Sequence, residues 1–266
     1  MAERAHHQLP ESWGDKAEDY ESLFVPLSGA AATLAIEAVE LDHDERFLDI
    51  AAGTGAVTLE AIGAGARVVA IDFSEGMLAF LSNKLNRHGV DGVALHQMDG
   101  QALEFGDETF DVVGSGFGLV WFPDPAAGLR EMHRVLKPGG RAFVTTTGHA
   151  GSSDLQNLIM RASAAAGASM TGPVPSLMPG VDGLREMLEA AGFRDVTVTA
   201  QSLPWPIPSA REFWAKWALE SPPGAARWRG QSESVRRTAG DEFVRLVEET
   251  GQSAFPTEVL IGLGRK

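Results

Sequence analysis

Between Arg46 and Thr147 the chain alternates short aliphatic and β-branched runs with amphipathic stretches. The runs RFLDIA, RVVAID, VALHQMD, FDVVGSG and RAFVTTT read as strands. Between them, EGMLAFLSNKLNRHG sets Met77, Leu78, Leu81 and Leu85 on one helical face. A later helix carries clear end signals: Asp124 as N-cap, Pro125 as first helical residue, and Lys137-Pro138-Gly139-Gly140 as the stop. Such alternation predicts parallel strands with helices on both faces, an α/β doubly wound core over residues 46–150.

Two stretches leave that rhythm. Residues 1–45 show a helical pattern around Trp13 and Tyr20 and a second across AAATLAIEAVEL, which together predict a helical cap. Residues 151–266 continue the same domain: a loop and helix in GHAGSSDLQNLIMRASAAAGAS, irregular TGPVPSLMPG, helix VDGLREMLEAAGF, and strands DVTVTAQSL and EVLIGLGRK. Between those strands, about 204–254, lies an insertion with a helix at DEFVRLVEETG and four of the six tryptophans, Trp205, Trp214, Trp217 and Trp228. Phe213, Trp214 and Trp217 share one helical face. They form either a small hydrophobic subcore or an aromatic lid over an organic substrate, and the two readings are compatible.

Composition narrows the partners. A chain of 266 residues suits one large α/β domain with an insertion. Its formal net charge of −14 argues against a nucleic-acid partner, because such binding neutralises phosphates with Lys and Arg. Arg227, Arg229, Arg236 and Arg237 make a local basic cluster, either a solvated helix face or a contact for an anionic substrate group. No apolar run approaches the roughly 18 residues of a membrane span, and MAERAHHQLPESWGDK resembles neither a signal nor a transit peptide. The chain has no cysteine, which removes disulfides and thiolate chemistry and fits a cytoplasmic protein.

Asp49, Asp72 and Asp99 each fall at or near the carboxyl end of a strand, where open parallel sheets bind ligands. Gly53 and Gly55, after the first strand, let backbone approach a ligand closely. Asp72 stands where a carboxylate accepts two ribose hydroxyls, and Asp99 where it meets the exocyclic amine of an adenine. NAD and S-adenosylmethionine (SAM) both present that adenosine. The dinucleotide fingerprint G-x-G-x-x-G fails here, because Thr58 follows Gly53 and Gly55 without a third glycine. SAM has no pyrophosphate but carries a free amino-acid end, and Asp49 could serve its ammonium directly or through water.

DIAAGTGAVTL and VVAIDFSEGML resemble the first two motifs of class I SAM-dependent methyltransferases. MDGQALEF with FDVVGSGFGLVWFPDP, and EMHRVLKPGG, resemble the later ones. The most similar group is the small-molecule methyltransferases related to the ubiquinone/menaquinone C-methyltransferases. The likeness covers about residues 12–148 well and the C-terminal strands loosely. It implies a Rossmann-like seven-stranded sheet whose last strand is antiparallel. It also implies a SAM site in which Gly53 and Gly55 pass the methionine part, Asp72 holds the ribose, Met77 packs on the adenine, and Asp99 with Gln101 borders its polar edge. Ala51, Phe73 and Gly100 flank these positions, and the backbone at Gly116 and Phe117 completes the wall beside the methyl. Trp13 and Tyr20 resemble the family's cap, whose aromatic side chains approach the cofactor from above.

The implied reaction is methyl transfer to a small organic acceptor at carbon, nitrogen or oxygen. Alignment and exclusion of water supply most of such catalysis, and a base is needed only if the acceptor must lose a proton. His149, just after the fifth strand, is the candidate base; Tyr20 is a second candidate catalytic residue, or a packing residue of the cap. Trp13, Trp121, Phe122, Trp214 and Trp217 are candidates for the acceptor pocket. No constellation of histidines and acids points to a metal. A small-molecule acceptor is the expected partner, and a homodimer is compatible with the sequence. A non-catalytic SAM-binding protein and an NAD-dependent oxidoreductase are the competing readings.

Overall fold

The computed structural model describes residues 9–148, 153–168 and 180–266. Seven strands form one sheet: β1 (Arg46–Ile50), β2 (Arg67–Asp72), β3 (Ala94–Gln97), β4 (Phe110–Gly116), β5 (Leu136–Thr147), β6 (Arg194–Pro206) and β7 (Ala254–Arg265). Their order is β3-β2-β1-β4-β5-β7-β6. The first five run parallel, and β7 pairs antiparallel with both β5 and β6. The expected doubly wound sheet with an antiparallel last strand is therefore present.

Helices cover both faces because the central strands are apolar on both. On one face Phe47, Val112 and Phe143 pack against α3 (Val25–Ala38) and α4 (Ala56–Gly63). α5 (Glu75–Arg87) lies on that same side, its Leu81 and Leu85 against Ala70 of β2. On the other face, Leu48, Ile50, Val113 and Val144 meet α6 (Pro125–Val135) and α8 (Gly180–Ala190). Truncating a fully buried ring such as Phe143 to alanine costs about 3–5 kcal/mol in a core of this kind. Asp124 caps α6 as expected, its Oδ1 accepting from Ala127 N at 3.1 Å.

The cap differs in detail from the sequence reading. The pattern around Trp13 and Tyr20 divides into α1 (Pro10–Gly14) and α2 (Ala17–Leu23). The break falls at Asp15-Lys16, just after Gly14, where the chain is pressed against α5: a Cβ on Gly76 would stand 2.5 Å from Gly14 Cα.

Between β6 and β7 the chain forms α9 (Ala210–Glu212), a π-helical segment (Phe213–Leu219), α10 (Pro222–Trp228) and α11 (Glu233–Thr250). Together with α7 (Asp154–Ala165) this insertion builds a separate subcore around Phe213, Trp214, Trp228, Phe243 and Phe255. The helix expected at DEFVRLVEETG starts earlier, at Glu233, with Ser232 Oγ capping Val235 N at 3.3 Å. Arg236 and Arg237 thus lie on that helix and Arg227 on α10. No described helix is long and apolar enough to cross a membrane.

Candidate functional site

A cavity of about 700 Å³ opens at the carboxyl ends of β1, β2 and β4. Its floor is the turn after β1. Ala51 and Gly53 take left-handed conformations, with φ of 58° and 55°, and bend the backbone away from the strand. Ala51 does so with a Cβ, a strained choice of the sort found at binding sites. Asp72 fixes the turn: its Oδ2 accepts from Gly53 N at 2.8 Å and its Oδ1 from Ser74 N at 2.9 Å. One carboxylate thereby ties the end of β2 to the glycine turn and to the start of α5. Burial raises the Asp72 pKa to about 6, against the lowering effect of the Ser74 and Gly53 amides. Asp72 also lines the cavity, and a carboxylate has acceptor capacity beyond these backbone bonds for a hydroxyl of a ligand.

Asp49, expected to serve the ammonium directly or through water, lies behind the cavity wall. It is fully buried and does not line the cavity. Thr58 Oγ1 donates to its Oδ2 at 2.6 Å, while Oδ1 is buried without a partner. Burial pushes its pKa up to about 7, opposed by the Thr58 hydrogen bonds and reinforced by Asp72. Thr58, which the sequence marked only as a missing glycine, is thus the partner of the acid in β1. Gly55 also lies off the cavity: it is the left-handed N-cap of α4, and a Cβ there would stand 2.3 Å from Leu81 Cδ1. Its lack of a side chain permits the close packing of α4 on α5.

Aromatic side chains roof the cavity. Tyr20 lies over Gly53, its Cε1 being 3.8 Å from where a Cβ would sit. Trp13 packs against Trp121 with ring centroids 5.5 Å apart and edge-on against Tyr20 at 6.1 Å. Burial, with Asp72, Glu21 and Asp49 nearby, raises the Tyr20 pKa well above the usual phenol value, opposed by Ser28. This shift favours the neutral phenol form of Tyr20.

Ala51, Phe73, Met77, Gly100, Gly116, Phe117 and Phe122 also line the cavity. Asp99 and Gln101 form its polar edge: Asp99 Oδ1 accepts from Gln101 N and Nε2 at 2.9 and 3.0 Å, and Gln101 Oε1 accepts from Asp124 N at 2.7 Å. Gly100 is required by close approach, since a Cβ would meet Phe122 Cζ at 2.6 Å and Ile50 Cγ2 at 2.8 Å. Phe117, like Ala51, is left-handed, with φ 57°.

Trp214 does not reach the cavity; it packs on Trp228 and Phe243 in the subcore, with centroids 5.2 and 5.3 Å away. Trp217 stands behind the roof, stacked on Phe24 at 5.0 Å. His149 lies outside the described residues. The sequence reading missed Met98 and Glu104, which also line the cavity: Met98 follows β3 directly, as Phe73 follows β2, and Glu104 lies further along the loop after β3.

The sheet order and a carboxylate-fixed glycine turn under an aromatic roof define an adenosine-binding α/β protein of the methyltransferase type. The methyltransferase-domain family matches residues 48–144. The demethylmenaquinone methyltransferase of Mycolicibacterium vanbaalenii is 37% identical over 173 residues, 60% of this chain and 73% of that protein. Its counterpart in Corynebacterium kroppenstedtii is 45% identical over 129 residues, 47% of this chain and 53% of that one. The first of the curated relatives are thus matched over about half of their length, 53%, 40% and 44%. Among solved structures, the YcgJ protein of Bacillus subtilis superposes with a TM-score of 0.61 at 19% identity, covering 89% of this chain and 98% of that one. A [4+2]-cyclase, SpnF, superposes at 0.57 and 24% identity, covering 90% and 81%. The chain belongs to the class I SAM-dependent methyltransferases, in the group related to the quinone C-methyltransferases.

Proposed function

We propose that this protein transfers a methyl group from SAM to a small organic acceptor, leaving S-adenosylhomocysteine (SAH). The observation that carries the reading is Asp72, held at the cavity floor by Gly53 and Ser74 and facing the cavity with acceptor capacity to spare. That arrangement suits the two hydroxyls of a free ribose and repels a 2′-phosphate. The orphaned Asp49 Oδ1 is a buried acceptor that the ammonium end of SAM would satisfy through an intervening water, which a carboxylate behind the glycine turn requires. Met77 and Phe73 supply the apolar surface for the adenine, and Asp99 and Gln101 its polar border. Gly53, Gly116 and Phe117 enclose the methionine chain.

When bound, SAM brings a methyl already activated on a sulfonium. The protein's part is to orient the acceptor in line with that methyl and to keep water out. Trp13, Trp121 and Phe122 are suited to a planar, largely apolar acceptor. The relatives named for demethylmenaquinone methylation support a quinol-like compound, and a secondary metabolite of similar shape fits the same walls. In this reading the protein is cytoplasmic and has no nucleic-acid partner, in keeping with its charge of −14. A homodimer is compatible with it.

A fold shared with a cyclase leaves the choice of reaction to experiment. Incubation with SAM and a panel of quinols, phenols, amines and carboxylates should yield SAH with a quinol- or phenol-like acceptor. SAM binding without SAH formation across that panel would favour a non-catalytic, SAM-binding protein.

A further inference from the structure

We propose that Trp217, in the C-terminal insertion, is a positioning residue for the cofactor wall and acts through Phe24 on Phe117. The inference rests on the SAM site described above and assigns part of its control to a segment outside the nucleotide-binding core.

Three rings form a column from the insertion to the cavity. Trp217 stacks on Phe24 with centroids 5.0 Å apart and planes 7° from parallel. The ring of Phe24 then meets Phe117 edge-on, at 5.2 Å and 82°. Phe117 lines the cavity at the end of β4 and holds a left-handed φ of 57°, an uncommon conformation for a bulky residue. Such a conformation persists where its surroundings enforce it, and here Phe24 presses on its ring while Phe117 N donates to Thr145 O at 3.0 Å. Tyr20, the roof over Gly53, leans on the same column, 5.2 Å from Phe24 and 6.1 Å from Trp217.

The column is fastened at both sides. Trp205 Nε1 donates to Leu23 O at 2.7 Å, pinning the end of α2 beside Phe24. Lys216 reaches Asp19 at 3.3 Å, and Lys16 reaches Glu220 at 2.7 Å, so ion pairs join α2 and its flank to both sides of Trp217. Trp217 also differs from its neighbours. Phe213 and Trp214 turn into the subcore, whereas the π-helical turn, a local widening common at functional sites, aims Trp217 at the cap.

The test is calorimetric titration of SAH into the wild type and five variants, Trp217→Ala, Trp217→Phe, Val247→Ala, Phe117→Gly and the Phe117→Gly/Trp217→Ala double. Trp217→Ala should weaken SAH about fivefold, on the scale of one lost aromatic stack, and Trp217→Phe should stay within about twofold. Val247→Ala, in the same subcore, should lower Tm with SAH affinity unchanged, which separates positioning from stability. In a Phe117→Gly background, where a left-handed φ needs no enforcement, Trp217→Ala should cause no further loss. If Trp217→Ala does not fold, Trp217→Leu, which keeps apolar volume without an aromatic face, replaces it. Equal SAH affinity in the wild type and Trp217→Ala overturns the inference alone, as does an equal loss in Val247→Ala. A wild type that binds no SAH overturns the site reading, and this inference with it.

Discussion

Thr58 Oγ1 donates to Asp49 Oδ2 at 2.6 Å, joining the first turn of α4 to the strand it follows. The other Asp49 oxygen, Oδ1, is buried without a partner. Thr58→Val keeps the shape of the side chain and removes the donor. At pH 8, where Asp49 is ionised, the variant should lose about 1–3 kcal/mol of stability, the cost of stranding a buried acceptor. Thr58→Ser should retain most of it. Urea unfolding measures both, and a Thr58→Val protein as stable as the wild type would show that the bond contributes nothing.

The two buried acids set a pH dependence. Asp49 and Asp72 have pKa values raised to about 7 and about 6, from 3.8, mainly by burial. The folded state therefore keeps protons that the unfolded chain has released. Their contribution to stability is complete below about pH 4 and is lost as pH rises through 6 and 7. Asp49→Asn should flatten that fall when unfolding free energies are compared from about pH 4.5 to 8. Parallel curves for the two proteins would remove Asp49 as its source.

Ligand binding should follow the opposite trend. An ionised Asp49 favours a cationic ammonium, so SAH affinity should rise between about pH 5.5 and 8. The part of the rise above about pH 6.5, beyond the Asp72 titration, should disappear in Asp49→Asn. Titrations at several pH values decide the matter, and a flat wild-type profile would exclude contact with the ammonium, direct or through water.

Asp72→Ala removes the acceptor of the Gly53 and Ser74 amides together with the proposed ribose contact. SAH affinity should fall by at least about tenfold, as for loss of charge-assisted hydrogen bonds. A folded variant with wild-type affinity would show that the ribose lies elsewhere.

The contact of Gly14 with Gly76 seats the cap on α5. Gly76→Val would force the two backbones apart, since even a Cβ would come within 2.5 Å of Gly14 Cα. The cost should be about 1–3 kcal/mol, as for an overpacked contact. Trp13, one residue away, should leave the roof, so SAH should bind more weakly and trypsin should cut faster after Lys16. Unchanged affinity and cleavage would mean that the cap does not close the site.

The sheet and the main features of the site were legible because buried parallel strands carry unbroken aliphatic runs and their acids fall at the ends. Asp72, Asp99, Gly53 and Met77 all line the cavity, as strand-end and helix-start positions should. Asp49, expected to act directly or through water, lies behind the cavity wall on the Thr58 hydroxyl, a depth that strand position does not give and a partner that was counted only as an absent glycine. The insertion was harder. Helical spacing set Phe213, Trp214 and Trp217 on one face, but a π-helical turn has more residues than that spacing assumes. Trp214 consequently lies in the subcore and Trp217 against Phe24.

Parallel calorimetric titrations with SAH and NAD test the nature of the site most directly. A SAM site built on Asp72 and the glycine turn binds SAH stoichiometrically and NAD far more weakly. Tight NAD binding with no heat from SAH would contradict it.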